Sequence, residues 1–246
     1  MLPKYENALS KIGFRRIDDI NDVRNIRRHD QRYRRLFKSE EHYKGRMSES
    51  FVIEKIIEYG NASKDDIDIE VYWPLPIDSW HYANSKGYAD IVIVINGVPI
   101  FTEVKSNWTD SPINIGSNSI EEWRVFDKIH SLLIDLRCNY EPGDYDDNDD
   151  EMPQPIYSAL VTVGPFTFPY SLDGLAIDHW YDIYSVGPVD IHLLGSCPDQ
   201  TIGNKLFLVN IPRLAMDGGT RSRRGRTPHI EQYDWRPLIC LLPSLE

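Results

Sequence analysis

An α/β fold is predicted: a mixed central sheet flanked by helices, in the order helix, strand, strand, strand, helix, strand. Three observations carry it. In "SESFVIEKIIEYG" the residues Val52, Ile53, Ile56 and Ile57 recur at helical spacing. In "DIVIVINGVPIFTEVK", residues 90–105, two β-branched runs flank Asn96-Gly97, the strongest short-range hairpin signal because both turn residues take positive φ. In "IYSALVTVG", residues 156–164, a short β-branched run is bounded by turn residues, as in a strand buried on both faces.

Taken in order, the elements have local reasons. Residues up to about Gly45 read as helical and mixed in charge, and Gly60 reads as a stop for the helix that follows. "IDIEVYW" alternates apolar and polar residues until Pro74 and Pro76, which marks a strand. The hairpin strands span residues 90–95 and 98–105. Ser119 and Glu122 form a capping box before a helix to about Cys138, with Val125, Phe126, Ile129, Leu132, Leu133 and Leu136 along one stripe. After residue 165, "VDIHLLG" and "KLFLVNI" read as strands and the proline- and arginine-rich end as irregular. The expected division is a basic helical extension over residues 1–46, a core over 47–165, and a β-rich or irregular extension over 166–246.

The hairpin carries the chemistry. A two-residue turn sets Ile95 opposite Val98, and counting outward sets Asp90 opposite Glu103 in a non-hydrogen-bonded pair, with Cα atoms about 4.5 Å apart. Two carboxylates so placed repel. A cation-binding site wants that arrangement, and a stability-driven sequence avoids it. Lys105 points to the same face as Glu103, and Val104 to the other. On the preceding helix, positions 49, 52, 53, 56, 57 and 60 share one face, so Glu49 sits at the edge of the apolar stripe, where an acid is costly unless paired or metal-bound. Glu54, on the polar side, is the second choice.

This order, with an acid opening the second strand and Glu-x-Lys closing the third, resembles the PD-(D/E)XK nuclease superfamily. Here the motif is Asp90, then Glu103-Val104-Lys105, with Ala89 where a proline is usual. The stretch "ADIVIVINGVPIFTEVKS" looks most like the nuclease domain of type I restriction-enzyme R subunits. "KGRMSESFVIEKIIEYG" is similar to the opening helix of the Holliday-junction-resolvase-like branch, where a glutamate stands eleven residues before a glycine, as Glu49 does before Gly60. The resemblance covers roughly residues 45–165. It departs from the R subunits in the helix "SIEEWRVFDKIHSLL", which lacks their glutamine.

The resemblance implies a restriction-endonuclease-like αβββαβ core and a metal-dependent endonuclease acting on nucleic acid, with DNA the expected substrate. Asp90, Glu103, the Val104 carbonyl and Glu49 would hold Mg²⁺ or Mn²⁺, and Lys105 would orient or deprotonate the attacking water. Arg34 and Arg35 in the basic N-terminal region, and Arg221, Arg223, Arg224 and Arg226 in "RSRRGR", would bind phosphates regardless of sequence. With no Walker A motif and no room for a motor, such a nuclease stands alone, pairs as a homodimer or borrows a helicase partner. The rival reading is a catalytically inactive module of the same fold that binds nucleic acid or protein.

Bulk properties fit and exclude. The 246 residues are 41% hydrophobic and 26% charged, as in ordinary globular proteins, and a net charge of −11 argues against a globally basic nucleic-acid binder. No run approaches the ~18 apolar residues of a membrane span, and no signal-peptide core opens the chain. Cys138, Cys197 and Cys240 are isolated, which fits reduced thiols and an intracellular protein, cytoplasmic or, in a eukaryote, nuclear. The acidic run from residue 141 to 151 fails as a calcium loop, because Asp149 stands where Gly is needed and Pro155 where the bidentate Glu belongs. The seven histidines lack zinc-site spacing. Trp80, His81, Tyr82 and Trp108 read as packing residues first, with stacking on bases or orienting substrate as the alternative.

Overall fold

Ile91, Ile93 and Ile95 face one side of a central strand and Val92 and Val94 the other, and this alternation divides the protein into two apolar layers. The computed structural model describes residues 5–63, 67–74, 88–115, 124–139, 157–167, 183–185, 191–195, 205–214 and 230–242. In chain order the elements are α1 (Glu6–Lys11), β1 (Phe14–Ile17), α2 (Ile20–Arg32), α3 (Glu40–Ala62), β2 (Ile69–Pro74), β3 (Ile91–Ile95), β4 (Val98–Ser106), β5 (Ile113–Asn114), α4 (Val125–Asn139), β6 (Tyr157–Val163), β7 (Phe166–Thr167), β8 (Ile183–Ser185), β9 (Ile191–Gly195) and β10 (Lys205–Ile211). Short 3₁₀ turns lie at Arg34–Leu36, Ile230–Gln232 and Arg236–Leu241.

Eight strands form one sheet in the order β1-β2-β3-β4-β6-β10-β9-β8, while β5 and β7 pair separately. The sheet is mixed: β4, β6 and β10 run parallel, and the other neighbours are antiparallel. On one face α2, α3 and the C-terminal turn pack over Val71, Ile93, Val104, Val161 and Val209. On the other, α1 and α4 cover Tyr72, Val92, Phe101 and Leu160. The α/β class with a mixed sheet flanked by helices is therefore as expected.

The hairpin register also holds. Ile95 pairs with Val98 and Ile91 with Thr102, across a turn with Asn96 at φ 49° and Gly97 at φ 79°. Pro99 lacks an N–H, and it precedes Ile100, where pairing with β6 begins, so no ladder bond is lost on that side.

Several expectations need correction. The boundary drawn between residues 46 and 47 falls inside α3, which runs unbroken from Glu40 to Ala62. The N-terminal region is not all helical, because Phe14–Ile17 adds β1 to the sheet beside β2. Gly60 does not stop α3. A Cβ there would stand 2.2 Å from Cδ1 of Ile69, so the glycine lets β2 approach the helix. Val125, Ile129, Leu132 and Leu136 form the buried stripe of α4, which starts after Arg124 at φ 54°. The capping box of Ser119 and Glu122, and the side chains of Phe126 and Leu133, lie outside the described residues.

Gly164 fixes the end of β6 against the end of β4. It sits at φ +126°, and a Cβ would meet the Asn107 carbonyl oxygen at 2.0 Å. Gly164→Ala is expected to destabilise the protein by about 2 kcal/mol or more, read as a lower denaturation midpoint at unchanged m. An unchanged midpoint would refute this close packing.

Candidate active site at the end of the hairpin

Beyond the last hairpin pair the Asp90 side chain takes over from the backbone: its Oδ2 accepts the Val104 N–H at 2.8 Å. Asp90 is thus pinned beside β4, next to Glu103. Glu103 shares the α4 face of β4 with Phe101 and is 0% exposed. Its Oε1 accepts hydrogen bonds from Lys105 Nζ at 2.5 Å and from Lys128 Nζ on α4. Its Oε2 is buried and has no hydrogen-bond partner among the described residues.

Glu49 arrives from α3, in the opposite layer. Its Oε2 accepts from Trp73 Nε1 at 2.7 Å and from Arg46 Nη1 at 3.3 Å, and its side chain is 14% exposed. Arg46 is the anchor. Its guanidinium lies 3.4 Å from the centroid of the Trp73 ring, donates to Asp30 Oδ2 at 3.1 Å, and donates to the Pro74 carbonyl at 3.1 Å. Asp30 and Arg46 are both buried, so the pair ties α2 to α3 at the point where Glu49 leaves the helix.

The electrostatics are those of crowded acids. Burial, and then the charge of Asp90, push the carboxyl of Glu103 up to about 7. The same two causes, in the same order, push Glu49 up to about 7. Burial alone would lower the Lys128 ammonium, but Asp90 and Glu103 outweigh it and hold it above its ordinary value. Asp90 therefore acts on acids from both layers.

Of the residues the sequence proposed, Asp90, Glu103 and Lys105 meet at the end of the hairpin, and Glu49, in the other layer, lies near enough for the Asp90 charge to act on it. Val104 engages Asp90 through its N–H. Glu54 goes elsewhere: α2 lies over the side of α3 expected to be polar, and Glu54 is buried there against Arg24 and Arg27. Burial opposes its charge, but hydrogen bonds and charge from Arg27 and Arg24 hold its carboxyl below the usual range. It joins helices and has no place at the hairpin. Arg34 pairs with Glu40 and lies 4.7 Å from the centroid of the Tyr43 ring, whose edge meets Trp108. Trp108 in turn donates to Ser48 Oγ at 3.1 Å. The basic turn is thereby linked to the chain just past Lys105, with Arg35 exposed beside it in a shallow cleft. Arg221, Arg223, Arg224 and Arg226 lie outside the described residues, as do Trp80, His81, Tyr82 and the acidic run.

Sequence reasoning missed Lys128, Arg46 and Trp73. Lys128 carried a signal: it falls three residues after Val125 and four before Leu132, a charge inside the apolar stripe of α4. A polar row also crosses the sheet where Lys105 pairs with Thr162 and Thr162 with Asn210. Thr162 Oγ1 lies 3.1 Å from Asn210 Oδ1.

The donors fit a hard divalent cation, being all oxygen and anionic, and Glu103 Oε2 is the orphaned buried atom such an ion would satisfy. Among the described residues, however, no three acidic, histidine or cysteine side chains already form a cage, and two ammoniums sit on Glu103 Oε1. Glu49, Asp90 and Glu103 would hold the ion once those ammoniums move.

Both raised carboxyls have a stability consequence. Glu49 and Glu103 keep their protons to about pH 7 in the folded chain, against 4.5 for a free glutamate. Between those values the folded state binds more protons than the unfolded one, so stability falls as pH rises through that window. Melts in EDTA are expected to show a falling Tm from about pH 5 to about 7.5, with a shallower fall in Glu103→Gln. Identical slopes for the two proteins would contradict the assignment. No protein-family model, curated protein or solved structure matches the chain, so its chemistry rests on these side chains.

Proposed function

We propose that the protein is a metal-dependent endonuclease with a restriction-endonuclease-like core, hydrolysing phosphodiester bonds of nucleic acid, with DNA as its substrate. The observation that carries this reading is the convergence of Glu49, Asp90 and Glu103 beside Lys105, with a buried Glu103 oxygen left without a partner. A chain selected for stability alone gains nothing from an Asp90 charge that raises the cost of ionising both Glu49 and Glu103. The PD-(D/E)XK motif falls on these residues, and the order α3, β2, β3, β4, α4, β6, with the two-residue β5 outside the main sheet between β4 and α4, agrees with that core.

Mg²⁺ or Mn²⁺, when bound, would polarise the scissile phosphate and lower the pKa of a water. Asp90 is oriented for this by the Val104 N–H, which leaves its second oxygen to the ion. Glu49 is held by Trp73 and Arg46, so its carboxylate presents a fixed direction from the other layer. Lys105, released from Glu103, would orient the attacking water and accept or steer its proton. Arg34 and Arg35 on the neighbouring turn would engage flanking phosphates without reading bases. No described helix is long and apolar enough to cross a membrane.

One observation favours the rival reading of an inactive module that binds nucleic acid or protein: the lysines on Glu103 already neutralise it without an ion. Cleavage separates the two. Supercoiled plasmid, single-stranded DNA and RNA are incubated with Mg²⁺, Mn²⁺ or EDTA. The nuclease reading expects ion-dependent cutting of DNA, lowered at least about a hundredfold by Asp90→Ala and by Lys105→Ala, with low-salt DNA binding largely kept. A variant that cuts like the parent means the site is misassigned, and no cutting by the parent on any substrate favours the inactive module.

A further inference from the structure

Lys128 is the residue at this site that the nuclease reading leaves without a task. Its ammonium and that of Lys105 share one carboxylate oxygen, Glu103 Oε1. The two reach it from different elements, β4 and α4, and their side chains are only 23% and 24% exposed. Two carboxylates, Asp90 and Glu103, thus stand against two ammoniums, and the hairpin end is balanced with no ion bound.

A divalent cation on those carboxylates upsets the balance. It brings two positive charges to an oxygen that already carries two ammoniums, and like charges this close repel strongly in a site largely shielded from water. Lys105 and Lys128 then have to leave Glu103 Oε1. Each is tethered at its Cα, and the sheet closes the inner side, so the solvent-exposed rim is where both can go. With Glu49, Asp90 and Glu103 on the ion, the occupied site carries a net +1 at its mouth, with two long cationic side chains released from Glu103. A chain of phosphates is the ligand whose charge and spacing match that state.

We propose that Lys128 is a metal-gated phosphate-binding residue, held on Glu103 while the site is empty of cation and handed to the phosphodiester backbone of the substrate when a cation enters. The proposal rests on the nuclease reading of the site and adds a coupling to it. Cation and nucleic acid strengthen each other's binding, and by linkage the factor is the same in both directions. Lys128 acts by binding the substrate backbone and has no part in activating the water.

The test is the affinity of a fluorescein-labelled 20-base-pair duplex in Ca²⁺ and in EDTA at matched ionic strength, with duplex integrity checked on a gel. For the parent, Ca²⁺ is expected to tighten binding at least about fivefold. In Lys128→Met that gain shrinks towards unity, while the variant binds Ca²⁺ itself more tightly because one competing ammonium is gone. Lys128→Gln, which keeps a hydrogen-bond donor for Glu103, gives the same loss if the methionine variant folds poorly, and Lys128→Arg restores most of the gain. A Lys128→Met or Lys128→Gln protein that keeps the parent's gain overturns the inference. If that protein's parent still cuts DNA with Mg²⁺, the nuclease reading survives alone. A parent with no calorimetric Mn²⁺ binding overturns both.

Discussion

A carboxylate taken out of water into the middle of an eight-stranded sheet has to be compensated by positive charge, and at Glu103 this condition organises everything around it. Around Glu103, β4 is held by β6 along one edge and by the Asp90 side chain on the other, so the backbone cannot rearrange to expose the acid. Compensation has to come from side chains. Lys105 supplies it from the same face of the same strand. Lys128 supplies it from above, because a parallel connection from β4 to β6 requires a crossover, and the crossover helix α4 lies on the Glu103 face. Asp90 works in the opposite sense and raises the cost of the Glu103 charge. Both lysines bond Oε1, so the compensation is one-sided: Oε2 stays buried without a hydrogen-bond partner among the described residues.

The second layer has a matching logic. Arg46 is buried against Asp30, stacked on Trp73 and bonded to the backbone where β2 ends. It therefore fixes α2, α3 and β2 together before it ever touches Glu49. Removing one partner of such a buried pair strands the other, which is why the pair acts as a strut as well as an electrostatic neighbour. The two layers meet at the carboxyl end of β4, next to the parallel strands β6 and β10, the place where open α/β sheets bring ligand-binding groups together.

How much of this was legible depends on the range of the interaction. Asn96-Gly97 set the register of the hairpin, so Asp90 and Glu103 could be paired by counting along a few residues. Helical spacing alone was enough to choose Glu49 over Glu54. It misjudged the side of α3 that carries Glu54, since nothing local says that α2 will lie there with Arg24 and Arg27. β1 was hidden because "FRRI" has two arginines in four residues and becomes a strand only by pairing with β2. Lys128 was visible as a charge in an apolar stripe, but its partner is 25 residues away and on another element. Gly60 shows the same limit: its role is set by Ile69, across a packing contact that no periodicity reports.

The most direct measurement is the anomalous diffraction of crystals grown with Mn²⁺. The account predicts a peak between Asp90 and Glu103, about 2.0–2.2 Å from a carboxylate oxygen of each, with Lys105 and Lys128 withdrawn from Glu103. Well-ordered crystals at saturating Mn²⁺ with no peak there, and both lysines still on Glu103, would contradict it.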